Sequence, residues 1–219
     1  MDCCSEMARI GNKAPDFSAP AFDAGKGDFT TIKLSEYKGK YVLLFFYPGD
    51  FTYVCPTELV SLASLKDKFK EAGVEVFVVS TDSKFSHKEW HESELCKAVG
   101  CDYPFTMISD TLGRIGKPYG IFDEEEGVDL RGTVLIDKNG IVQLIYNNAP
   151  PIGRNPNEIL RCVLALKEHD DNGGRVIPAC WMPGDDTIDP SFENSGKMWN
   201  KYKEVIQKGV LQGGNWRIN

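Results

Sequence analysis

The chain has 219 residues, of which 42% are hydrophobic, and a formal net charge of −7. This length and composition predict one medium-sized domain with its own core, followed by an appendage. The acidic balance argues against nucleic acid or an anionic membrane as the main partner. No apolar run approaches the roughly 20 residues that a membrane span needs.

Apolar and β-branched runs predict the strands, and apolar residues at helical spacing predict the helices. The predicted strands are 16–23, 28–34, 41–47, 74–81, 104–110, 132–137 and 141–146. The predicted helices are 55–72, 86–99, 111–119 and 157–169. Strands that alternate with helices and end in an antiparallel hairpin and a helix predict a layered α/β domain with a mixed sheet.

The regular pattern fades from Asp170 onward. Glycines, prolines and three of the four tryptophans, Trp181, Trp199 and Trp216, follow with little periodicity. We therefore expect two parts, a core domain over residues 7–169 and a C-terminal arm over 170–219. An apolar arm with no core of its own is expected to lie on a partner subunit.

Cysteine is the residue type that points most directly to chemistry. Seven are present: Cys3, Cys4, Cys55, Cys96, Cys101, Cys162 and Cys180. They form no CxxC pair, and the N-terminus shows neither a basic segment nor an apolar run typical of a secretory signal. The sequence thus predicts a cytoplasmic protein with thiol chemistry at one or two positions.

Cys55 is the strongest candidate for that chemistry. The predicted strand 41–47 leads through Pro48-Gly49 to Cys55-Pro56, and proline is favoured just inside a helix start. Free backbone N–H groups and the helix dipole there favour a thiolate, so we expect the pKa of Cys55 to fall. The plain alternative is a passive core thiol at the end of an apolar strand.

The motif Pro48-x-x-x-Thr52-x-x-Cys55 and the stretch 51–58, FTYVCPTE, closely resemble the peroxiredoxins. The resemblance spans roughly residues 7–190 and includes Leu130-Arg131-Gly132, Ile152-Gly153-Arg154 and Trp181-Met182-Pro183-Gly184. It implies a thioredoxin fold with an N-terminal extension, helices on both faces of a mixed sheet, and a C-terminal arm. The implied activity is a thiol peroxidase for hydrogen peroxide and alkyl hydroperoxides, without metal or cofactor.

The resemblance also implies roles for individual residues. Cys55 would attack the peroxide and become a sulfenic acid. Thr52 would hold its hydroxyl near the sulfur and the incoming oxygen. Pro48 would line the pocket and help to exclude water from it. Arg131 would supply a permanent positive charge for the thiolate and the leaving oxygen. Taken alone, these residues have plainer interpretations: an N-cap or loop threonine, a strand-ending proline and a surface ion pair.

Glu58 and Arg154 match family positions that orient the catalytic arginine. Ordinary salt bridging is the alternative for both.

Position 177 departs from the family pattern. The family's resolving cysteine would stand where this chain has Ile177, and a cysteine appears three residues later as Cys180. We expect Cys180 to form an intersubunit disulfide with Cys55, although a disulfide needs Cα atoms within roughly 7 Å. One-cysteine behaviour with an external thiol, or resolution by another internal cysteine, stays open. We interpret Cys96, Cys101 and Cys162 as packing residues.

The implied partners are an electron donor, either thioredoxin-like or another disulfide reductase, and a second copy of the chain. The predicted edge strand 141–146 is the candidate for homodimer pairing, and a decamer is the larger assembly that the family offers.

Three rival functions are weaker. A thioredoxin-type oxidoreductase would need a second cysteine in Cys55-Pro56-Thr57-Glu58. A metal module could use His87 and His91, which are i, i+4 on a predicted helix, but Cys96 and Cys101 follow at no familiar zinc spacing. A holdase role would coexist with peroxidase activity.

Overall fold

The computed structural model describes residues 7–100, 103–199 and 203. The chain divides into two compact units, Met1–Leu160 and Arg161–Asn219. The functional division between residues 169 and 170 stays a prediction. Cys3, Cys4, Cys101 and Trp216 lie outside the described residues, and so does the interpretation of Cys101 as a packing residue. Within the described part of the chain, no helix is both long and apolar enough to cross a membrane.

Of the nine strands in the described residues, seven form one mixed sheet, as predicted. The strands are β1 (Ser18–Asp23), β2 (Asp28–Lys33), β3 (Tyr41–Phe46), β4 (Val74–Ser80), β5 (Thr106–Ser109), β6 (Phe122–Asp123), β7 (Val128–Asp129), β8 (Arg131–Ile136) and β9 (Val142–Asn148). The sheet order is β2-β1-β5-β4-β3-β8-β9, and β6 and β7 form a separate ribbon. Strand β4 runs parallel to β3 and β5, and the remaining pairs are antiparallel. This confirms the α/β fold of thioredoxin type.

Three of the four predicted helices are present, and two of these three are interrupted. They are α1 (Cys55–Ala63), α2 (Lys66–Glu71), α3 (Lys84–Trp90), α4 (Cys96–Val99) and α5 (Pro156–Asp171). The single helix predicted over 55–72 is broken between α1 and α2, where the Ser64 hydroxyl donates to the Ser61 carbonyl at 2.7 Å. Such back-bonding competes with helical hydrogen bonds. A π-helical turn, His91–Leu95, joins α3 to α4.

The helix predicted over 111–119 is wrong, because these residues form turns. The Asp110 carboxylate accepts hydrogen bonds from the backbone N–H groups of Ile115 and Gly116, both at 2.8 Å. Gly113 has a φ of +63°, in the left-handed region that glycine tolerates. A side chain that captures the N–H groups in this way replaces the helical pattern with a closed loop.

Strand β3 lies at the centre of the core and leads towards Cys55. All six of its residues are buried, because it lies between β4 and β8. Val42, Leu44 and Phe46 of this strand share an apolar cluster with Val79 of β4 and Val134 of β8, the two neighbouring strands. The carboxyl end of β3 therefore fixes the start of the loop over 48–54, which leads to Cys55.

Asp129 is a buried acid on β7, two residues before Arg131. It is fully buried, and neither carboxyl oxygen has a hydrogen-bond partner among the described residues. Burial, reinforced by the nearby charge of Asp110, raises the pKa of Asp129 from 3.8 to about 8. Asp129 is therefore protonated in the folded protein at neutral pH but ionised in the unfolded chain.

Replacing Asp129 by asparagine is expected to stabilise the protein at pH 7.5 by about 2–4 kcal/mol. Because the folded pKa is raised, wild-type stability falls as pH rises from about 3.8 to about 8. The advantage of Asp129→Asn should therefore shrink towards pH 4.5. Urea unfolding at several pH values measures it, with Glu126→Gln, exposed nearby, as the control. Equal stability of variant and wild type across this range would contradict the prediction.

Within the second unit, the residues around Cys180 form an ordered loop. Val176 and Ile188 pair as an isolated antiparallel bridge. The Arg175 guanidinium closes the base of the loop by donating to the Thr187 hydroxyl at 2.5 Å and to its carbonyl at 2.6 Å. Trp181 is buried, and its indole N–H donates to the Asp185 carbonyl at 3.0 Å.

Candidate active site

Cys55 is the first residue of α1, as the sequence predicts, and its side chain is fully buried. Pro56 follows within the first turn, and no side chain of the described residues caps this helix start. The first-turn N–H groups therefore point towards the sulfur end of the helix without a side-chain acceptor. Their partial positive charge favours an anion at this position.

Arg131 brings a full positive charge to the sulfur. One guanidinium nitrogen, Nη1, donates to Cys55 Sγ at 3.4 Å and to Glu58 Oε2 at 2.8 Å. Its Nε donates to the Pro150 carbonyl at 2.6 Å, which fixes the plane of the guanidinium. Arg131 lies at the start of β8 and is buried, so its charge acts on the sulfur with little screening by water.

Glu58 joins two arginines into one buried cluster. Arg154 donates to Glu58 Oε1 from its backbone N–H at 2.7 Å and from Nε at 2.9 Å, and to Oε2 from Nη2 at 3.0 Å. Burial alone would raise the pKa of Glu58, but the hydrogen bonds and charge of Arg154, with the charge of Arg131, hold it below 4.5. Glu58 is therefore an anion that orients Arg131.

Arg154 is itself tightly held. Its Nη1 donates to the Gly132 carbonyl at 2.6 Å, and its guanidinium lies 3.3 Å from the ring centroid of Phe45. This stacking on β3 is a cation–π contact that the sequence did not indicate.

The loop over 48–54 carries the other two predicted site residues of the first unit. Strand β3 is followed by Tyr47, which is buried, and then by Pro48, which is half-buried. The Thr52 hydroxyl donates to the Gly49 carbonyl at 2.9 Å. Because that hydroxyl already donates its proton, its oxygen is left as an acceptor, which suits a substrate O–H group.

The remaining described cysteines differ in state. Cys180 belongs to the second unit; it is exposed, has a free thiol and a φ of +61°. Cys162 is half-buried, and its sulfur accepts a hydrogen bond from Arg161 Nη2 at 3.6 Å. Cys96 is disulfide-bonded, so its interpretation as a passive packing thiol is wrong.

His87, the first residue proposed for the rival metal site, is already held by contacts within the protein. Both ring nitrogens of His87 face protein acceptors, Nδ1 the Asp50 carboxylate at 2.9 Å and Nε2 the Ile108 carbonyl at 3.2 Å. Among the described residues, no group of three or more potential ligands could hold a metal ion. The sequence does not indicate the pairing of His87 with Asp50, because the two residues lie far apart in the chain.

The cluster can perform nucleophilic chemistry at sulfur. A guanidinium nitrogen 3.4 Å from a buried sulfur at a helix start can stabilise negative charge on that sulfur as it reacts. The same guanidinium can stabilise negative charge on an oxygen atom that leaves from the sulfur's target.

Comparison with known proteins agrees with this geometry. Residues 10–145 match the model of the AhpC/TSA family, and residues 165–201 match the C-terminal domain of 1-Cys peroxiredoxin. The chain is 45% identical over 207 residues to a selenocysteine-containing peroxiredoxin of Peptoclostridium acidaminophilum, covering 94% of this chain and all of the relative.

Two further similarities concern a vertebrate protein and a solved structure. Peroxiredoxin-1 of Gallus gallus is 42% identical over 199 residues, which cover 91% of this chain and 99% of the relative. The crystal structure of reduced Plasmodium vivax 2-Cys peroxiredoxin superposes with a TM-score of 0.78 and 41% identity, covering 84% of this chain and 94% of that one.

Proposed function

Because this chain belongs to the AhpC/TSA family of peroxiredoxins, thiol peroxidases that reduce peroxides, we propose that Cys55 is the sulfur that attacks the peroxide. The observation that supports it most strongly is the 3.4 Å hydrogen bond from Arg131 to a sulfur buried at a helix start. Hydrogen peroxide and alkyl hydroperoxides are the substrates that we propose.

The first step transfers one oxygen atom to sulfur. The Cys55 thiolate attacks the terminal peroxide oxygen, so that an S–O bond forms and the O–O bond breaks. The products are a sulfenic acid and the alkoxide or hydroxide, which takes up a proton and leaves as alcohol or water. Arg131 stabilises the negative charge on the thiolate and on the departing oxygen.

Two loop residues complete the site in this proposal. The Thr52 oxygen accepts a hydrogen bond from the peroxide O–H, because its own proton is directed to the Gly49 carbonyl. Pro48 shields the pocket from water. Glu58 and Arg154 support the reaction by orienting Arg131 through the buried cluster.

For the second step we propose Cys180 as the resolving cysteine of a partner subunit. Its thiol attacks the Cys55 sulfenic acid, which yields an intersubunit disulfide and water. The exposure and free state of Cys180 support this role. Cys96 is a poorer candidate because it is already disulfide-bonded.

The proposed cycle needs a partner copy and an electron donor. Strand β9 lies at one edge of the sheet, so it can pair with its equivalent in a second copy to form a homodimer, from which a decamer can assemble. A thioredoxin-like donor would then reduce the disulfide in a cytoplasmic setting. A monomer in sedimentation analysis of the reduced protein would contradict the dimer.

Non-reducing gels after one equivalent of peroxide test both cysteine assignments. Pre-reduced wild type is expected to give a covalent dimer, whereas Cys55→Ser and Cys180→Ser give none. Cys162→Ser is the control and should behave as wild type. Peroxidase activity that survives Cys55→Ser would refute the attacking sulfur. A covalent dimer that survives Cys180→Ser would refute the resolving role and leave one of the other cysteines as its source.

A further inference from the structure

A buried polar network surrounds Asp50, a residue of the loop over 48–54. At its centre is the Asp50 carboxylate, which accepts hydrogen bonds from the Tyr47 hydroxyl at 2.8 Å and the Ser86 hydroxyl at 2.9 Å. His87 Nδ1 lies 2.9 Å from the same carboxylate. Both side chains of the Asp50–His87 pair are fully buried. None of these residues has a role in the chemistry proposed above.

The positions of the hydrogen atoms follow from the acceptors. The Ile108 carbonyl, 3.2 Å from His87 Nε2, can only accept, so Nε2 carries a proton. Burial and the Asp50 charge raise the pKa of Tyr47 well above its ordinary value, so its hydroxyl keeps its proton and donates. The 2.9 Å between the Asp50 carboxylate and His87 Nδ1 is likewise a hydrogen-bond distance.

The network ties the loop to two separate elements. His87 belongs to α3 and reaches the carbonyl of Ile108 on β5, so its ring bridges Asp50 to both elements. The Asp50 backbone N–H also donates to Asp82 at 2.8 Å, just after β4. Asp50 therefore anchors the loop twice, through its carboxylate to His87 and through its backbone N–H to Asp82.

The loop needs such an anchor because its backbone is unfavourable. Phe51, next to Asp50, has a φ of +54°, a left-handed conformation that bulky residues rarely adopt. Phe51 is more than half exposed, and its ring centroid lies 6.2 Å from that of Trp90. Thr52 follows at once, so any relaxation at Phe51 displaces the hydroxyl that faces the substrate.

We infer that Asp50 and His87 are positioning residues of the peroxide site, and that their buried hydrogen-bonded pair holds Thr52 in place for the attack by Cys55. The inference rests on the proposed role of Cys55. Loss of the pair should slow oxidation of Cys55, because small displacements at a reacting centre reduce rates strongly. Disulfide formation should not slow, because it requires the chain around Cys55 to move.

Stopped-flow fluorescence separates the two steps. Trp90 lies 5.8 Å from Tyr47 between ring centroids and is a probe close to the loop. The rate of the first phase depends on peroxide concentration and reports oxidation, whereas the second phase does not and reports disulfide formation. Intact-mass analysis of quenched samples assigns the first phase to Cys55.

Asp50→Ala is expected to slow the oxidation phase at least about tenfold and leave the disulfide phase within about threefold of wild type. Asp50→Asn should restore most of the oxidation rate, because its amide can donate to His87 Nδ1 and its oxygen can accept from Tyr47. His87→Gln should behave as Asp50→Ala, since a single amide nitrogen cannot reach both Asp50 and Ile108. Glu89→Gln, exposed on α3, is the control.

The outcomes separate the inference from the proposed function. Wild-type oxidation rates in both Asp50→Ala and His87→Gln would overturn the inference alone. Equal slowing of both phases together with a lower Tm would also overturn it, because that pattern indicates general damage to the fold. If Asp50→Ala does not fold, His87→Gln decides by the same criteria. Absence of oxidation at Cys55 in the wild type would overturn the proposed function, and this inference with it.

Discussion

Arg131→Ala is expected to lower the second-order rate constant for oxidation of Cys55 by peroxide by about 10²–10³. Two effects combine. The variant removes the only positive charge whose nitrogen, among the described residues, donates to the sulfur. It also removes the donor that would stabilise the oxygen leaving the peroxide. Competition kinetics against a peroxidase of known rate measure the constant.

Arg131→Lys separates charge from geometry. Lysine keeps a positive charge, but its single ammonium cannot reproduce a guanidinium that donates to the sulfur, to Glu58 and to the Pro150 carbonyl together. We expect it to recover part of the rate, roughly tenfold above alanine. Arg114→Ala, exposed on the turn before β6, is the matched control. An Arg131→Ala rate within threefold of wild type would contradict the role.

The sequence could predict features that depend on neighbours along the chain. Cys55 at a helix start was predictable because Pro56 follows it directly and an apolar strand precedes it. The β8–β9 hairpin was predictable because Asn139-Gly140 joins two apolar runs. In both places the local preference and the tertiary structure agree, which is why the prediction succeeded.

Features that depend on distant contacts were predicted only through the family resemblance, or not at all. Glu58 and Arg154 lie 96 residues apart in the chain, and no periodicity indicates that they share a carboxylate–guanidinium cluster. The family resemblance placed them together. Asp50 and His87, 37 residues apart, had no such guide, and the helical spacing of His87 with His91 suggested metal binding instead.

Local competition explains the remaining differences. The predicted helix over 111–119 had acceptable composition, but a single carboxylate, Asp110, removes two N–H groups from it. The break between α1 and α2 has the same kind of cause at Ser64. A side chain that bonds to nearby main chain is compatible with a helical sequence pattern until the geometry shows which bond forms.

Glu58→Gln is expected to destabilise the protein at pH 7 by about 3–5 kcal/mol. Glu58 is the carboxylate that the two buried guanidinium groups of Arg131 and Arg154 share. A glutamine leaves both cations in the interior without a counter-charge, and its amide N–H atoms face donors. Urea unfolding measures the change, with Glu75→Gln as control, because Glu75 pairs with Lys40 near the surface and should cost no more than about 1 kcal/mol.

The effect of Glu58→Gln should also depend on pH in a defined direction. The pKa of Glu58 is lowered in the folded protein, so its charge contributes stability above the unfolded value of 4.5. That contribution is lost as pH falls through the folded pKa, where the wild type also becomes neutral at this position. The stability difference between wild type and variant should therefore be constant from pH 6 to 8 and shrink below pH 4.5. A difference that persists undiminished in acid would show that shape, rather than charge, makes Glu58 necessary.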